Sequence, residues 1–383
     1  MFESSSILLS KEALSNNILF LKQIFGSQIM ISSVIKGNAY GHGITPFVKM
    51  ASECGICHFS VFSADEAFEA SLVLPKPSTI MIMGWVDCTS LEWSILNDIE
   101  FFVFDYERLC QAIEISKKIS RRAKIHIELE TGMNRTGFSA NELARVIDLI
   151  KDNSSYLSLK GLCTHFAGAE NMVNYDRVQN QICVYNDLCL KFTKEGIKPD
   201  FMHTACSAAS ILFPETRLDL VRIGIMQYGL WPSPETYMNY LQDLDTPKDP
   251  LKRVISWKSR IMSVKQVKAG DFIGYGIGFV AHEKMKVAAV PVGYSHGFSR
   301  SLSNQGRVLI DGKICPVVGT VNMNMMVIDV SEVPSIQKGD EVVLIGKQES
   351  QEVTVASFSE FSDQLNYELL TRLPSNIPRI IQS

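Results

Sequence analysis

The sequence predicts an α/β protein, a (β/α)8 barrel followed by a C-terminal β-rich domain. Strand-like and helix-like runs alternate about eight times up to Gly229, a count and spacing that suit a barrel better than a doubly wound sheet. The strand-like runs, such as TIMIMG (79–84) and FFVFD (101–105), are apolar without alternation, as strands are when both faces are covered. After Trp231 the texture changes. A stretch with Pro232, Pro234, Pro247 and Pro250 gives way to short strands and turns with no αβ repeat. The domains are therefore read as 1–232, whose residues 1–10 can pair with the second domain, and 233–383, with a proline-rich excursion at 233–250.

The elements follow in order. Ser10 can cap a helix from Lys11, in which Leu14, Ile18 and Leu21 share a face. The run IMISSVI (29–35) is a strand that stops at Lys36 and the loop GNAYGHG (37–43). Residues 44–52 read as helix and 56–62 as strand, and Ser63 with Glu66 forms a capping box for the next helix. Strand 79–84, helix 90–97, strand 101–105 and the amphipathic helix 106–119 come next. Strand 124–130 ends in TGMNRTG (131–137). Helix 141–152, strand 158–166 and helix 176–196, stopped by Gly196, lead to strand 201–210 and the closing run 219–229. Beyond them VISWKSRIMSVKQV (254–267) opens a series of strands punctuated by Lys-Ala-Gly-Asp and Lys-Gly-Asp turns. The tail 357–380 holds one short helix and a proline-bounded end.

Composition narrows the function. The 383 residues are 46% hydrophobic and 20% charged, and the net charge of -4 comes with no basic block, which argues against nucleic-acid binding. The start has no basic segment ahead of an apolar core, and no run of 18 apolar residues occurs, so a cytoplasmic protein with no membrane partner is expected. Nine scattered cysteines, with a single Cys54-x-x-Cys57 pair, suit neither a disulfide framework nor a zinc site, and no metal is expected.

Several residues stand where chemistry gathers, at the C-terminal ends of barrel strands. Lys36 is one: desolvation there favours the neutral amine, which can attack a carbonyl or hold an aldehyde cofactor. Arg135 can clamp a carboxylate or phosphate, or make a surface salt bridge. His165 and His203, each at a strand end, can touch a planar ligand or be satisfied polar residues. Ser207 and the run Arg222-Ile223-Gly224-Ile225 suit a phosphate seat, and Arg222 can alternatively face a heteroaromatic nitrogen. Tyr275 and Tyr294, bracketed by glycines, pack at turns or act as acid/base groups if positive charge or an apolar surrounding lowers their cost of ionisation. Met323 and Tyr367 carry no signal of their own.

In this order the residues resemble the alanine racemases, pyridoxal-phosphate enzymes built from a barrel and a C-terminal β-domain. The matching motifs are VIKGNAYGHG (34–43), TGMNRTGF (131–138), THFAGAE (164–170), ACSAA (205–209), VRIGIMQYG (221–229), IGYGIGF (273–279), VPVGY (290–294), GTVNMNMMVIDV (319–330) and LNYELL (365–370), which span nearly the whole chain. The resemblance implies that Lys36 holds pyridoxal 5'-phosphate and serves as base on one substrate face, with Tyr275 of a second subunit on the other. It implies a phosphate-holding set of Tyr40, Ser207, Gly224, Ile225 and Tyr367. Arg222 would face the ring nitrogen, supported by His165 and His203, and Arg135 and Met323 would lie near the substrate carboxylate. Tyr294 would limit the side chain. A homodimer with shared active sites, making D-alanine for peptidoglycan, is the implied setting.

The chain departs from the family pattern in places. Glu128 stands where many members carry a carbamylated lysine, and it could hold Arg135 by a charge-assisted hydrogen bond. Cys206, Asn324 and His296 replace the residues usual at their positions, which bears on substrate preference. A racemase of the same fold acting on serine or another small amino acid is the alternative. A single-barrel pyridoxal-phosphate-binding protein is disfavoured by residues 254–383.

Overall fold

In the computed structural model, which describes residues 4–242, 247–359 and 366–382, the apolar runs form one eight-stranded parallel sheet. After β1 (Ser5–Ser10), which lies in a different sheet, come β2 (Met30–Val34), β3 (His58–Val61), β4 (Thr79–Ile82), β5 (Glu100–Val103), β6 (Ala123–Glu128), β7 (Leu157–Cys163), β8 (Phe201–His203) and β9 (Leu220–Ile223). Neighbours run β8-β7-β6-β5-β4-β3-β2-β9. Across the remaining seam Asp219 N–H donates to Met202 O at 3.1 Å and Arg222 N–H to Ala205 O at 3.0 Å, so the barrel is nearly closed. Every residue of β3, β5 and β9 is buried, which explains the missing alternation: one face meets helices and the other the barrel interior.

The helices follow from their apolar stripes and caps. Helix Leu143–Asp152 buries Leu143, Val146, Ile147 and Ile150 at three- and four-residue spacing. Asp87 accepts from Thr89 N–H and Ser90 N–H, at 2.8 and 3.0 Å, and starts helix Cys88–Leu96. The capping box at Ser63 is not made. Ser63 forms no side-chain cap bond, and Glu66 accepts from Phe62 N–H at 2.8 Å, one residue before the position a box uses. Within the proline-rich stretch lies a helix, Pro234–Gln242, whose Tyr240 meets Phe20 edge-on at 5.3 Å. Residues 13–36 and 47–252 form this unit.

The second unit comprises residues 1–12, 37–46 and 253–383. Its strands are β10 (Ile255–Arg260), β11 (Ser263–Val267), β12 (Met285–Val290), β13 (Arg307–Ile310), β14 (Lys313–Pro316), β15 (Met326–Asp329), β16 (Glu341–Gln348), β17 (Gln351–Val353) and β18 (Arg379–Gln382). One sheet runs β14-β13-β16-β10-β1-β18, with β17 on β16, and another runs β11-β12-β15. The run 254–267, read as one strand, is two strands in different sheets. The switch is at Ile261, whose N–H goes to Asp340 O, and Met262, whose N–H goes to Ala289 O. Among the described residues the tail contains helices Ala356–Ser359 and Asn366–Thr371.

Directly after Lys36 the backbone turns left-handed. Gly37, Asn38, Ala39, Tyr40 and Gly41 have φ of 62°, 54°, 52°, 50° and 80°, and Gly41 N–H donates to Gly37 O at 3.0 Å. This conformation costs about 1–2 kcal/mol for each non-glycine residue, and such strain gathers at functional sites. Gly41 is needed twice over, since a Cβ there would sit 1.9 Å from Leu370 O.

Candidate active site

Lys36 stands just beyond β2, at the C-terminal end of the barrel. Its side chain is open to the mouth, yet surrounding protein crowds out water. Desolvation lowers its pKa below the usual lysine value, and the Arg135 and Arg222 cations lower it further. A larger neutral fraction makes the amine a better nucleophile and proton acceptor.

Arg222 projects from β9 and is almost fully buried. Nη1 donates to His203 Nδ1 at 2.6 Å and His203 O at 2.9 Å, and Nη2 to Thr164 O at 2.8 Å and Thr204 O at 3.0 Å. A guanidinium has five N–H groups, so Nε–H alone has no partner among the described residues. His165 follows β7 beside these cations. Desolvation first, then Arg222, Arg135 and Lys36, lower its pKa to about 3, so the ring is neutral at physiological pH.

The candidate anion seat is built largely on backbone. Ser207 Oγ accepts from Gly224 N–H at 3.0 Å, tying the loop after β8 to the turn after β9. The first N–H groups of the 3-10 turn Ile225–Tyr228 have no acceptor within that turn. Cys206 bridges to Arg222 in the backbone at this seam.

The loop after β6 is shaped by Glu130, which accepts from Gly132 N–H and from Asn134 N–H, the latter at 2.9 Å. Gly137 closes it at φ 111°, where a Cβ would lie 2.8 Å from Glu130 N. Arg135 is exposed on this loop. Glu128 forms no ion pair with it among the described residues. Glu128 is buried, burial raises its pKa, and its carboxyl is hydrogen-bonded to Thr136, with Arg135 acting only through space. The expected Glu128–Arg135 bond is therefore not made: the positive-φ turn at Asn134 carries Arg135 out to the exposed side of the loop.

In the second unit Tyr275 is 75% exposed between Gly274 and Gly276, at φ 80° and 68°. Tyr294 N–H donates to Asn322 O at 3.0 Å, and Ser295 Oγ donates to Met323 O at 2.7 Å, so Tyr294 and Met323 share one laced surface. Asn324 Nδ2 donates to Ser295 Oγ at 3.0 Å, and His296 Nδ1 accepts from Gly293 N–H at 3.2 Å. Tyr40 and Tyr367 meet edge-on at 6.4 Å. Lys36, Arg135, His165, His203, Ser207, Arg222, Gly224 and Ile225 thus gather in the barrel unit, and Tyr40, Tyr275, Tyr294, Met323 and Tyr367 belong to the other.

A buried polar chain in the barrel interior was not foreseen. His203 Nε2 lies 2.9 Å from His126 Nδ1, and His126 Nε2 lies 2.8 Å from Glu100 Oε2. His58 Nε2 stands 3.6 Å from the same oxygen, and its Nδ1 is 2.8 Å from Ser32 Oγ. Burial pushes the Glu100 pKa up, but His126 and His58 outweigh it and hold the carboxyl well below its usual range. The available signals were an acid opening the apolar strand EFFV (100–103) and a glycine inside β7.

The donor set fits a flat, anionic, aldehyde-bearing heteroaromatic. An amine of lowered pKa, a single spare guanidinium donor and a backbone anion seat lie around one barrel end. Among the described residues no cluster of three His, Cys, Asp or Glu is placed to hold a metal ion.

Comparison with known proteins agrees with this geometry. Residues 9–232 match the family described as alanine racemase, N-terminal domain, and residues 254–381 match alanine racemase, C-terminal domain. Alanine racemase of Leptospira interrogans is 33% identical over 378 residues, covering 99% of this chain and 96% of the relative. That of Halothermothrix orenii is 35% identical over 362 residues, covering 94% and 92%. The crystal structure of alanine racemase from Bacillus anthracis with bound L-Ala-P superposes with a TM-score of 0.89 at 30% identity, covering 100% of this chain and 96% of that one. With both domain families matched in order and full-length relatives above 30% identity, the chain belongs to the alanine racemase family.

Proposed function

We propose that this protein interconverts L- and D-alanine with pyridoxal 5'-phosphate, using Lys36 and the Tyr275 of a second copy as opposed acid/base groups. The observation that carries the reading is the pairing, at one barrel end, of a lysine of lowered pKa with an arginine left a single free donor. The bound cofactor would supply an electron sink for the pair released when the substrate Cα–H bond breaks. The chain's residues do the rest. Lys36 would anchor the cofactor and take or return the Cα proton on one face. Tyr275 would do so on the other, because inversion needs a proton removed from one side and delivered to the other. Arg222 Nε–H would bond the ring nitrogen and, being permanently charged, would keep it unprotonated. Ser207, Gly224, Ile225, Tyr40 and Tyr367 would hold the phosphate, with His165 beside the ring. Arg135 and Met323 would hold the substrate carboxylate, and Tyr294 would keep the side chain small.

This reading makes the protein a homodimer that completes each site from two copies, a cytoplasmic source of D-alanine for peptidoglycan. No helix among the described residues is long and apolar enough to cross a membrane. The test is conversion of each alanine enantiomer by the purified protein with pyridoxal phosphate, in deuterium oxide. Deuterium should enter Cα in both directions, and Tyr275→Phe should cut kcat by about 10²–10⁴. Turnover of serine but not alanine would overturn the substrate, and no Cα exchange with any amino acid would overturn the reaction.

A further inference from the structure

Three of the four acceptors around the Arg222 Nη groups are backbone carbonyls, which always accept. The fourth, His203 Nδ1, accepts only when its proton is on Nε2. That requirement runs down the chain. A proton on His203 Nε2 must be received by His126 Nδ1, so the His126 proton is on Nε2 and points at Glu100 Oε2. The two ends enforce the same direction, since a guanidinium only donates and a carboxylate only accepts. Reversing one imidazole would set N–H against N–H at 2.6 or 2.9 Å.

The bond from His126 to His203 links β6 to β8 and passes over β7, which lies between them. It can do so because β7 carries Gly161 at that level. A Cβ there would sit 2.2 Å from His126 Nδ1 and 2.8 Å from His203 Nε2. Phe102 of β5 rests against both rings, with centroids 6.0 and 5.9 Å away. Four strands therefore supply the chain, a fifth makes room for it and a side chain walls it in.

We propose that Glu100, acting through His126 and His203, anchors the accepting end of this chain against the donating guanidinium at the other, and so holds Arg222 in the one orientation that leaves Nε–H as its donor to a ligand. Glu100 and His126 are positioning residues. The ligand half rests on the function proposed above; the hydrogen-bond directions do not.

The test is nitrogen-15 NMR of histidine-labelled protein near pH 7.5, with and without pyridoxal phosphate, assigned with His126→Asn and His203→Asn. Both residues should be neutral and protonated on Nε2 alone, in either form. An Nδ1–H tautomer or an imidazolium at either residue overturns the proposal. Glu100→Gln, whose amide can donate as well as accept, should admit the Nδ1–H tautomer at His126, whereas His203 should stay protonated on Nε2 because Arg222 still requires it. In the loaded enzyme it should cut kcat by about tenfold with KM within about twofold, and move the visible band of the bound cofactor. Tautomers and kcat unchanged in Glu100→Gln would remove Glu100 from the role. If the tautomers stand but no pyridoxal phosphate binds, the functional reading falls and the hydrogen-bond chain survives.

Discussion

At the scale of single residues, the site works by choosing protonation states. Lys36 is lowered by desolvation and by two neighbouring arginines, so it can act as an amine. Lys36→Arg, which keeps charge but cannot deprotonate, should lower racemisation at least about 10³-fold; a loss under tenfold would mean that another group takes the proton. The buried imidazoles set the response to acid. Desolvation lowers His165 to about 3 and His42 to about 4. The unfolded chain protonates both near pH 6.5, so between those values it binds more protons than the folded chain. Stability must therefore fall as pH drops from 6.5 towards 4, by at most about 1.4 kcal/mol per pH unit for each histidine. Urea midpoints measured across that range should decline steadily, and a flat profile would mean that these rings are charged in the folded protein.

Elements place those groups, and glycines decide where elements can pass. Gly161→Ala pushes a methyl into the His126–His203 bond, and should cost more than about 2 kcal/mol of stability, as overpacking in a core does. Gly41→Ala should cost about 2–4 kcal/mol, because it combines φ of 80° with a clash against Leu370 O. Denaturant titration of both variants checks the values. Much at this scale was legible from sequence. The apolar runs are strands, and the amphipathic helix expected at 106–119 is found at Tyr106–Ile119. The misses have physical causes. Ser63 lacks its cap bond because Glu66 reaches past it to Phe62, and 254–267 breaks where Ile261 and Met262 exchange partners from different sheets. Neither depends on local composition.

At the scale of the whole molecule, the residues proposed for the reaction are divided between two units of the chain. Lys36 could be singled out because a strand ends at it and a glycine-rich loop follows. Arg222 and Ser207 could be singled out because small residues surround them. The chain from Glu100 through His126 could not, because its members lie on separate strands and only the assembled barrel brings their side chains together. The exposure of Tyr275 has the same character: a bare phenol on the second unit makes sense if another copy receives it. The most direct measurement is complementation. Lys36→Ala and Tyr275→Phe should each be inactive alone. Co-expressed in equal amounts, they should recover about a quarter of the wild-type activity, since half of the dimers would be mixed and each mixed dimer would hold one intact site. A mixture no more active than its parents would contradict a site shared between two copies.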